Sequence, residues 1–317
     1  MGDEKIKLGI STCLLGEKVR YDGGHKLDRF LVNTVGAFVE WIPICPEVEC
    51  GLPIPRESMR LVESSDGIRL KTGKTNIDHT PRMLTWAGER LDLLEKEDIC
   101  GYIFKSKSPS SGMRDIKIYS EKGMPIGKGV GLFARKLMER FPHLPVEDEG
   151  RLNDAGLREN FIERIFVYQR WRQMVGSGAS RRQFIDFHTD HKLLIMAHSE
   201  KHLRILGKLV AAPHEKEKAS LLHDYFVMLM EALKLKATVK KNVNVLQHIM
   251  GYFKQQVSSD EKQELLEVID QYHRRLIPLI VPVTLLNHYV RKYQQDYLLR
   301  QVYLKPHPAE LMLRNHV

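Results

Sequence analysis

The sequence predicts two domains of different class: an α/β domain with a Rossmann-like parallel sheet over residues 1–148, and an all-α domain over residues 149–317. Three observations lead there. Up to Arg140, short apolar runs alternate with helix-length amphipathic stretches, and such alternation favours a parallel sheet covered on both faces. Past Pro142–Gly150, where prolines and the acidic run Glu147-Asp148-Glu149 break the pattern, a 3.6-residue period takes over. Charge divides at the same place. Residues 1–150 carry 23 basic and 23 acidic side chains, whereas residues 151–317 carry 26 and 17, so the whole net charge of +9 sits in the second half.

The elements follow in order. Lys7–Thr12 is a short strand ending in a Cys-Leu-Leu-Gly turn, and Phe30–Trp41 is an amphipathic helix leading into a strand at Ile42–Ile44. Thr80–Glu97 has helical spacing, Gly101–Phe104 begins a third strand, and Pro125–Val130 is a candidate fourth before a closing helix at Leu132–Arg140. The glycines of Gly127-Lys-Gly-Val-Gly131 are expected in a turn. No Gly-x-Gly-x-x-Gly follows the first strand, and Lys71–Thr75 lacks phosphate-loop spacing, so neither nucleotide-binding reading is kept. In the second half helices are expected over Asn160–Val175, Ser180–Ala211, Lys216–Leu235, Lys240–Gln256, Ser259–Tyr272 and Pro282–Gln295, with Ile277–Leu286 as core. Asp260–Glu264 supplies an acidic first turn behind Ser258 and Ser259, a plausible cap.

No apolar run approaches the roughly 18 residues of a membrane span. The polar stretch Met1–Lys7 leaves no room for a signal peptide's apolar core, so a cytoplasmic protein without a membrane partner is expected. A reducing compartment argues against disulfides among Cys13, Cys45, Cys50 and Cys100, and clustered cysteines there more often serve a metal or catalysis.

Three polar loops each follow a predicted strand, and in open parallel sheets ligands bind beyond the strands' carboxyl ends. They are Ser11–Gly16 with Arg20–Gly24, then Cys45–Glu57, then Lys105–Gly112. Two of them place a cysteine directly after a strand, so the two thiols can converge on one metal cluster, with Glu47 offering a carboxylate beside Cys45.

The motifs Ser11-Thr-Cys-Leu-Leu-Gly16, Arg20-Tyr-Asp-Gly23, Cys45-Pro-Glu-Val48, Pro55-Arg-Glu57 and Lys105-Ser-Lys-Ser-Pro-Ser-Ser-Gly112 resemble the thiouracil desulfidase (TudS) family over roughly residues 5–145. The second half, through Phe187-His-x-x-His-Lys192, Lys241–Phe253, Ile277–Pro282 and Gln301–Pro306, resembles the YbgA-type domain of previously unknown function. Fused in this order, the two are similar to the tRNA 4-thiouridine desulfidases (RudS). The resemblance implies a 4Fe–4S cluster held by three cysteines, of which Cys13 and Cys45 match two. It implies Glu47 as catalytic acid and Ser108 as an assisting serine. Arg20, Asp22, Arg56 and Lys105 then become candidates for binding a thiopyrimidine.

The family's third cysteine falls where this chain has Ser111, whose oxygen is a poorer partner for iron than a thiolate. Cys100 begins the third strand, and Ser111 lies 11 residues on. At about 3.3 Å per strand residue the strand alone separates the two by roughly 20 Å, which marks Cys100 as core. Three readings stay open: a cluster with Ser111 oxygen or solvent as third ligand, a cluster rebuilt around Cys50, or a site without its cluster.

In the basic half, Arg181, Arg182, Lys192, Lys240, Lys241, Arg291 and Lys292 are candidates for phosphate contacts, interleaved with Tyr252, Phe253 and Tyr289 as stacking platforms or core. The bland alternative is a solvated basic face. His188, His191, His198 and His202 read as one long helix, and His198 and His202 share a face, but no acidic or thiol partner stands at matching spacing for zinc. The expected reaction is hydrolytic replacement of sulfur by oxygen in 4-thiouridine of tRNA. Rival readings are a free-thiouracil desulfidase and a non-catalytic RNA-binding or stress protein.

Overall fold

A computed structural model describes residues 5–211 and 218–316. The chain divides into two compact units, Met1–Asn153 and Asp154–Val317.

In the first unit the order is β1 (Ile6–Ser11), α1 (Arg29–Asn33), β2 (Val39–Ile44), α2 (Pro46–Glu49), β3 (Met59–Ser64), β4 (Gly67–Thr72), α3 (Thr80–Glu97), β5 (Tyr102–Phe104), β6 (Ile116–Tyr119), β7 (Pro125–Gly129), α4 (Leu132–Arg140) and β8 (Val146–Asp148). A parallel sheet runs β2-β1-β5-β8. Its centre is apolar: Leu8, Ile10, Ile103 and Phe104 are fully buried, as strands covered on both faces require. A second sheet, β4-β3-β6-β7, is mixed, with antiparallel pairs at both ends.

Four expectations for the described residues need correction. The stretch Phe30–Trp41 is not one helix: α1 stops at Asn33, and β2 starts at Val39 because all six residues of β1 find parallel partners there. The strand at Pro125 exists, yet it belongs to the second sheet, and Gly127 and Gly129 lie in it opposite Ile118 and Ile116 rather than in a turn. The acidic run read as a boundary is the parallel edge strand β8, whose Glu147 and Asp148 are buried. Asp148 Oδ1 accepts the Arg151 N–H at 3.0 Å, which draws the chain as far as Asn153 into the first unit. Finally, Ser180–Ala211 is broken.

The second unit contains α5 (Ala155–Gly176), α6 (Arg181–His198), α7 (Glu200–Ala211), α8 (Lys218–Lys234), α9 (Val239–Gly251), α10 (Ser259–His273), α11 (Ile280–Lys292) and α12 (Asp296–Leu299). Ser199 is extended, at φ −164° and ψ 110°. Its Oγ accepts the His202 N–H at 3.3 Å, so it ends α6 and caps α7. His198 and His202 therefore do not share one continuous helix. The expected cap at Ser258 is present as a reciprocal pair with Glu261. Of the helix expected over 216–235, residues 216 and 217 lie outside the described residues. The core is built on Trp171, Phe184, Tyr225, Phe253 and Tyr303 with surrounding Leu and Val. Among the described residues no helix is long and apolar enough to cross a membrane.

Candidate active site

β1 pairs with β2 on one side and β5 on the other, so the connections that leave these strands part in opposite directions and open a crevice beyond their carboxyl ends. A cavity of about 590 Å³ lies there. The loop after β1 gives it Cys13 and Arg20, and the segment after β2 gives Cys45, Glu47 and Arg56. Residues after β5 give Lys105, Ser108, Ser110 and Ser111, and the end of β8 gives Glu149.

Local backbone chemistry sets these side chains. Cys13 sits in a tight turn closed by Gly16 at φ +96°, a conformation natural to glycine. The Cys13 carbonyl also accepts the Lys26 N–H at 2.9 Å, folding the loop back over the strand end. Cys45 caps α2, with Pro46 at its first position, and Glu49 Oε1 accepts the Cys45 N–H at 2.8 Å. Glu47 then projects from the first turn. The serine loop is anchored by α4, whose Phe133 N–H donates to the Ser110 carbonyl at 3.0 Å. A Cβ at Gly131 would come 2.5 Å from that carbonyl oxygen, so only glycine permits the approach.

Both oxygens of Glu47 are occupied. Arg56 donates from Nε to Oε2 at 2.9 Å, with Nη2 closing a second contact, and is itself held by the carbonyls of Val19 at 3.0 Å and Pro53 at 3.2 Å. Ser110 Oγ donates to Oε1 at 2.8 Å and lies 3.0 Å from Ser108 Oγ. The Ser111 N–H donates to Ser108 Oγ at 3.1 Å. Lys105 Nζ pairs with Glu149, and the Lys105 N–H donates to Ser11 Oγ at 2.9 Å, tying the β5 loop to β1.

Burial pushes the Cys13 thiol up to about 11, with Lys105 and Arg20 pulling it down and Cys45 adding to the rise. Cys45 is raised for the same first reason. Both are therefore protonated near neutrality, and a metal taken up as thiolate must displace those protons. Among the described residues no three His, Cys, Asp or Glu side chains converge as a metal site. Ser111, only 3% exposed, lines the cavity beside the two thiols.

Not every expected residue is here. Cys50 does not line the cavity: its Sγ donates to the Glu47 carbonyl at 3.3 Å, and its side chain packs with Leu52, Leu61 and Leu70 beneath α2. It stands with that core rather than among the cavity's donors. Asp22 also lies outside, about half exposed, accepting the Gly24 N–H and pairing with Arg20 at 3.4 Å. Cys100 is buried at the opposite end of β5 from Lys105, as its place in the strand implies. In the second unit Arg181 and Lys241 bond structural carbonyls. Arg181 donates to Val210, and Lys241 Nζ donates to His198 at 2.7 Å and Lys236 at 3.0 Å, satisfying helix ends. Phe253 and Tyr289 are core; Tyr252 is 39% exposed and stacks on Tyr297.

Two site residues escape the sequence reading. Ser110 sits inside a motif already singled out, but nothing local marks it, rather than Ser108, as the neighbour of Glu47. Glu149 is hidden in an acidic run that looks like a linker until β8 is seen to pair with β5.

Residues 8–149 match a family model described as 2-thiouracil desulfurase, and residues 192–308 match a protein family of unknown function, DUF1722. The uncharacterized protein YbgA of Escherichia coli (strain K12) is 32% identical over 161 residues, which are 50% of this chain and 94% of that protein. The chain belongs to the YbgA family. It is a TudS-like domain fused to a YbgA-type domain. A solved structure of a 4Fe–4S-dependent thiouracil desulfidase, TudS, is 30% identical and covers 49% of this chain and 97% of its own, with a TM-score of 0.40. The TudS-like domain contains the whole cavity described above, from Ser11 to Glu149.

Proposed function

We propose that this chain replaces sulfur by oxygen in a thiolated pyrimidine, with 4-thiouridine in tRNA as substrate. The observation that carries the reading is the convergence of Cys13, Cys45, Glu47, Ser108 and Ser111 on one cavity at the strand ends of a desulfurase-type domain. The cavity's size is within the roughly 300–1,000 Å³ of small-molecule sites.

A 4Fe–4S cluster would be held here by the thiolates of Cys13 and Cys45, which line one cavity with Ser111, whose oxygen would be the weaker third donor. Bound there, it would supply an iron open to the substrate's sulfur, a Lewis acid for the leaving sulfide. The chain's own residues handle water and protons. Water attacks the ring carbon that bears sulfur, and Glu47 takes a proton from it and later returns one to the departing sulfur. The balance is thiocarbonyl plus water to carbonyl plus hydrogen sulfide, with no oxidant or reductant. Arg56 holds the Glu47 carboxyl aimed, while the Ser108–Ser110 hydroxyl pair connects its Oε1 to the cavity. Arg20 and Lys105 line the same space and are the side chains assigned to hold the pyrimidine.

Support for tRNA comes from the second half, which carries the whole net charge of +9. Arg181 and Lys241 are spent on helix ends, but Lys201, Arg204 and Lys208 stand exposed on one face of α7, and the Arg182 side chain is 93% exposed. Such cations suit a phosphate backbone. A free 2-thiouracil substrate is the second reading, favoured by the description of the matching family and by the neutral first half. The two separate by salt. Anaerobically prepared protein should release sulfide from 4-thiouridine tRNA with kcat/KM falling steeply as salt rises, by a slope of about −0.7 to −0.9 per phosphate contacted. Turnover of free 2-thiouracil alone, indifferent to salt, would remove tRNA from the account.

A further inference from the structure

The YbgA-type domain holds a cavity of its own, about 480 Å³, which the proposed reaction does not use. It is lined by the first turns of α5, the α8–α9 connection, the end of α10 and His316.

Its buried wall is charged. Glu163, 3% exposed, accepts from Arg314 Nη2 at 2.9 Å and meets His198 Nε2 at 3.3 Å, while His198 Nδ1 donates to the Leu235 carbonyl at 2.6 Å. One turn earlier on α5, Glu159 faces Arg314 Nε at 3.3 Å and His316 Nε2 at 3.5 Å. A single guanidinium thus serves two carboxyls, and Glu159 has the poorer share. Burial and the charge of Glu163 push Glu159 up to about 8 despite Arg314, so near neutrality it bears a proton it can donate. Val239, Ile277 and Leu279 give the same cavity an aliphatic surface.

Two further lining cations are weakly matched or unmatched. Lys236 Nζ is 4.0 Å from Asp154, an exposed pair worth little. Arg275 makes no ion pair among the described residues, and its backbone is held at φ +60°, where glycine is usual. Two cations from separate connections suit a tetrahedral phosphate, whose oxygens point in several directions, better than a single carboxylate.

We propose that this cavity binds a small phosphate ester, its phosphate held by Lys236 and Arg275 and its body seated against Val239, Ile277 and Leu279 beside Glu159. The Glu159 carboxyl donates to a ligand oxygen. The groups facing Glu159 are Asp154 and Glu163 of α5, His198 of α6, Lys236, Tyr272 of α10, Arg275, Arg314 and His316. An anion placed among them is repelled once Glu159 ionises, so affinity falls as pH rises through the region of 8. The ester is either a free mononucleotide-sized molecule or a phosphate unit of an RNA strand.

Calorimetry on the full chain with uridine 5′-monophosphate, uridine and a short oligouridylate, near pH 7 and near pH 9, tests this. The monophosphate should bind about tenfold more tightly than uridine, and Arg275→Ala or Lys236→Ala should each weaken it about tenfold. Wild-type affinity should drop at the higher pH, and Glu159→Gln should bind alike at both. An oligouridylate that binds more tightly, with the same loss in Arg275→Ala, assigns the phosphate to RNA; one that binds more weakly assigns it to a free ester. Failure of both phosphate-bearing probes to bind, or binding indifferent to Arg275→Ala and Lys236→Ala, overturns the site. None of these readouts depends on desulfidation.

Discussion

Ser110 Oγ lies 2.8 Å from Glu47 Oε1, the oxygen that Arg56 leaves free. This one contact ties the loop after β5 to the helix after β2. It also makes Ser110, 1% exposed, the hydroxyl nearest the proposed proton carrier. Ser110→Ala should keep the fold and lower kcat by about tenfold, the scale of a lost hydrogen bond to a charged group. Steady-state sulfide release beside a thermal melt checks both; an unchanged kcat would reduce Ser110 to packing.

Glu47→Gln should retain iron and lose about 10²–10⁴-fold in turnover, the usual contribution of general acid–base catalysis. Arg56→Ala acts differently. It leaves a largely buried carboxylate unpaired, and breaking such a pair costs on the order of 3 kcal/mol. Its melt should therefore fall clearly, whereas that of Glu47→Gln should shift less.

The ligand assignment predicts a graded metal content. Cys13→Ser and Cys45→Ser should each abolish iron and acid-labile sulfide after anaerobic reconstitution, while Cys50→Ser should match wild type because its thiol points away from the cavity. Ser111→Cys should raise iron per chain, since it adds a third thiolate. Iron analysis in which Cys50→Ser is the damaging variant would contradict the placement.

Acid should loosen the helical domain. Burial depresses His188 to about 4 and His191 to about 3, below the ordinary value of 6.5. Between those values and 6.5 the unfolded chain binds more protons than the folded one, so stability is full above about pH 6.5 and is lost as pH falls towards 4. Each unit of depression is worth about 1.4 kcal/mol, so the two together cost on the order of 6 kcal/mol by pH 4. Melting midpoints between pH 7 and pH 4.5 should drop steeply in wild type and less in His191→Leu.

The α/β-then-helical division, the helix at Thr80–Glu97 and the cavity's main residues were legible because they rest on local pattern: apolar period, strand-end loops and long motifs. What was not legible depends on partners far along the chain. Glu147–Glu149 look solvated until β8 pairs with β5, and Cys50 looks like a ligand until α2 turns its sulfur towards the Glu47 carbonyl. Arg181 and Lys241 look like phosphate contacts until helix ends claim them. A continuous apolar period across Ser199 hid the stop there, which only the extended backbone of Ser199 reveals.

Oxygen tracing tests the central claim most directly. Anaerobically reconstituted protein is given 4-thiouridine tRNA in water enriched in oxygen-18, and sulfide and the released nucleosides are measured together. Hydrolytic replacement predicts one sulfide per uridine formed, the new carbonyl oxygen drawn from water, and neither product from Cys13→Ser. Uridine formed without label, or sulfide released equally by Cys13→Ser, would contradict a water-driven desulfidation at the Cys13–Cys45 cavity.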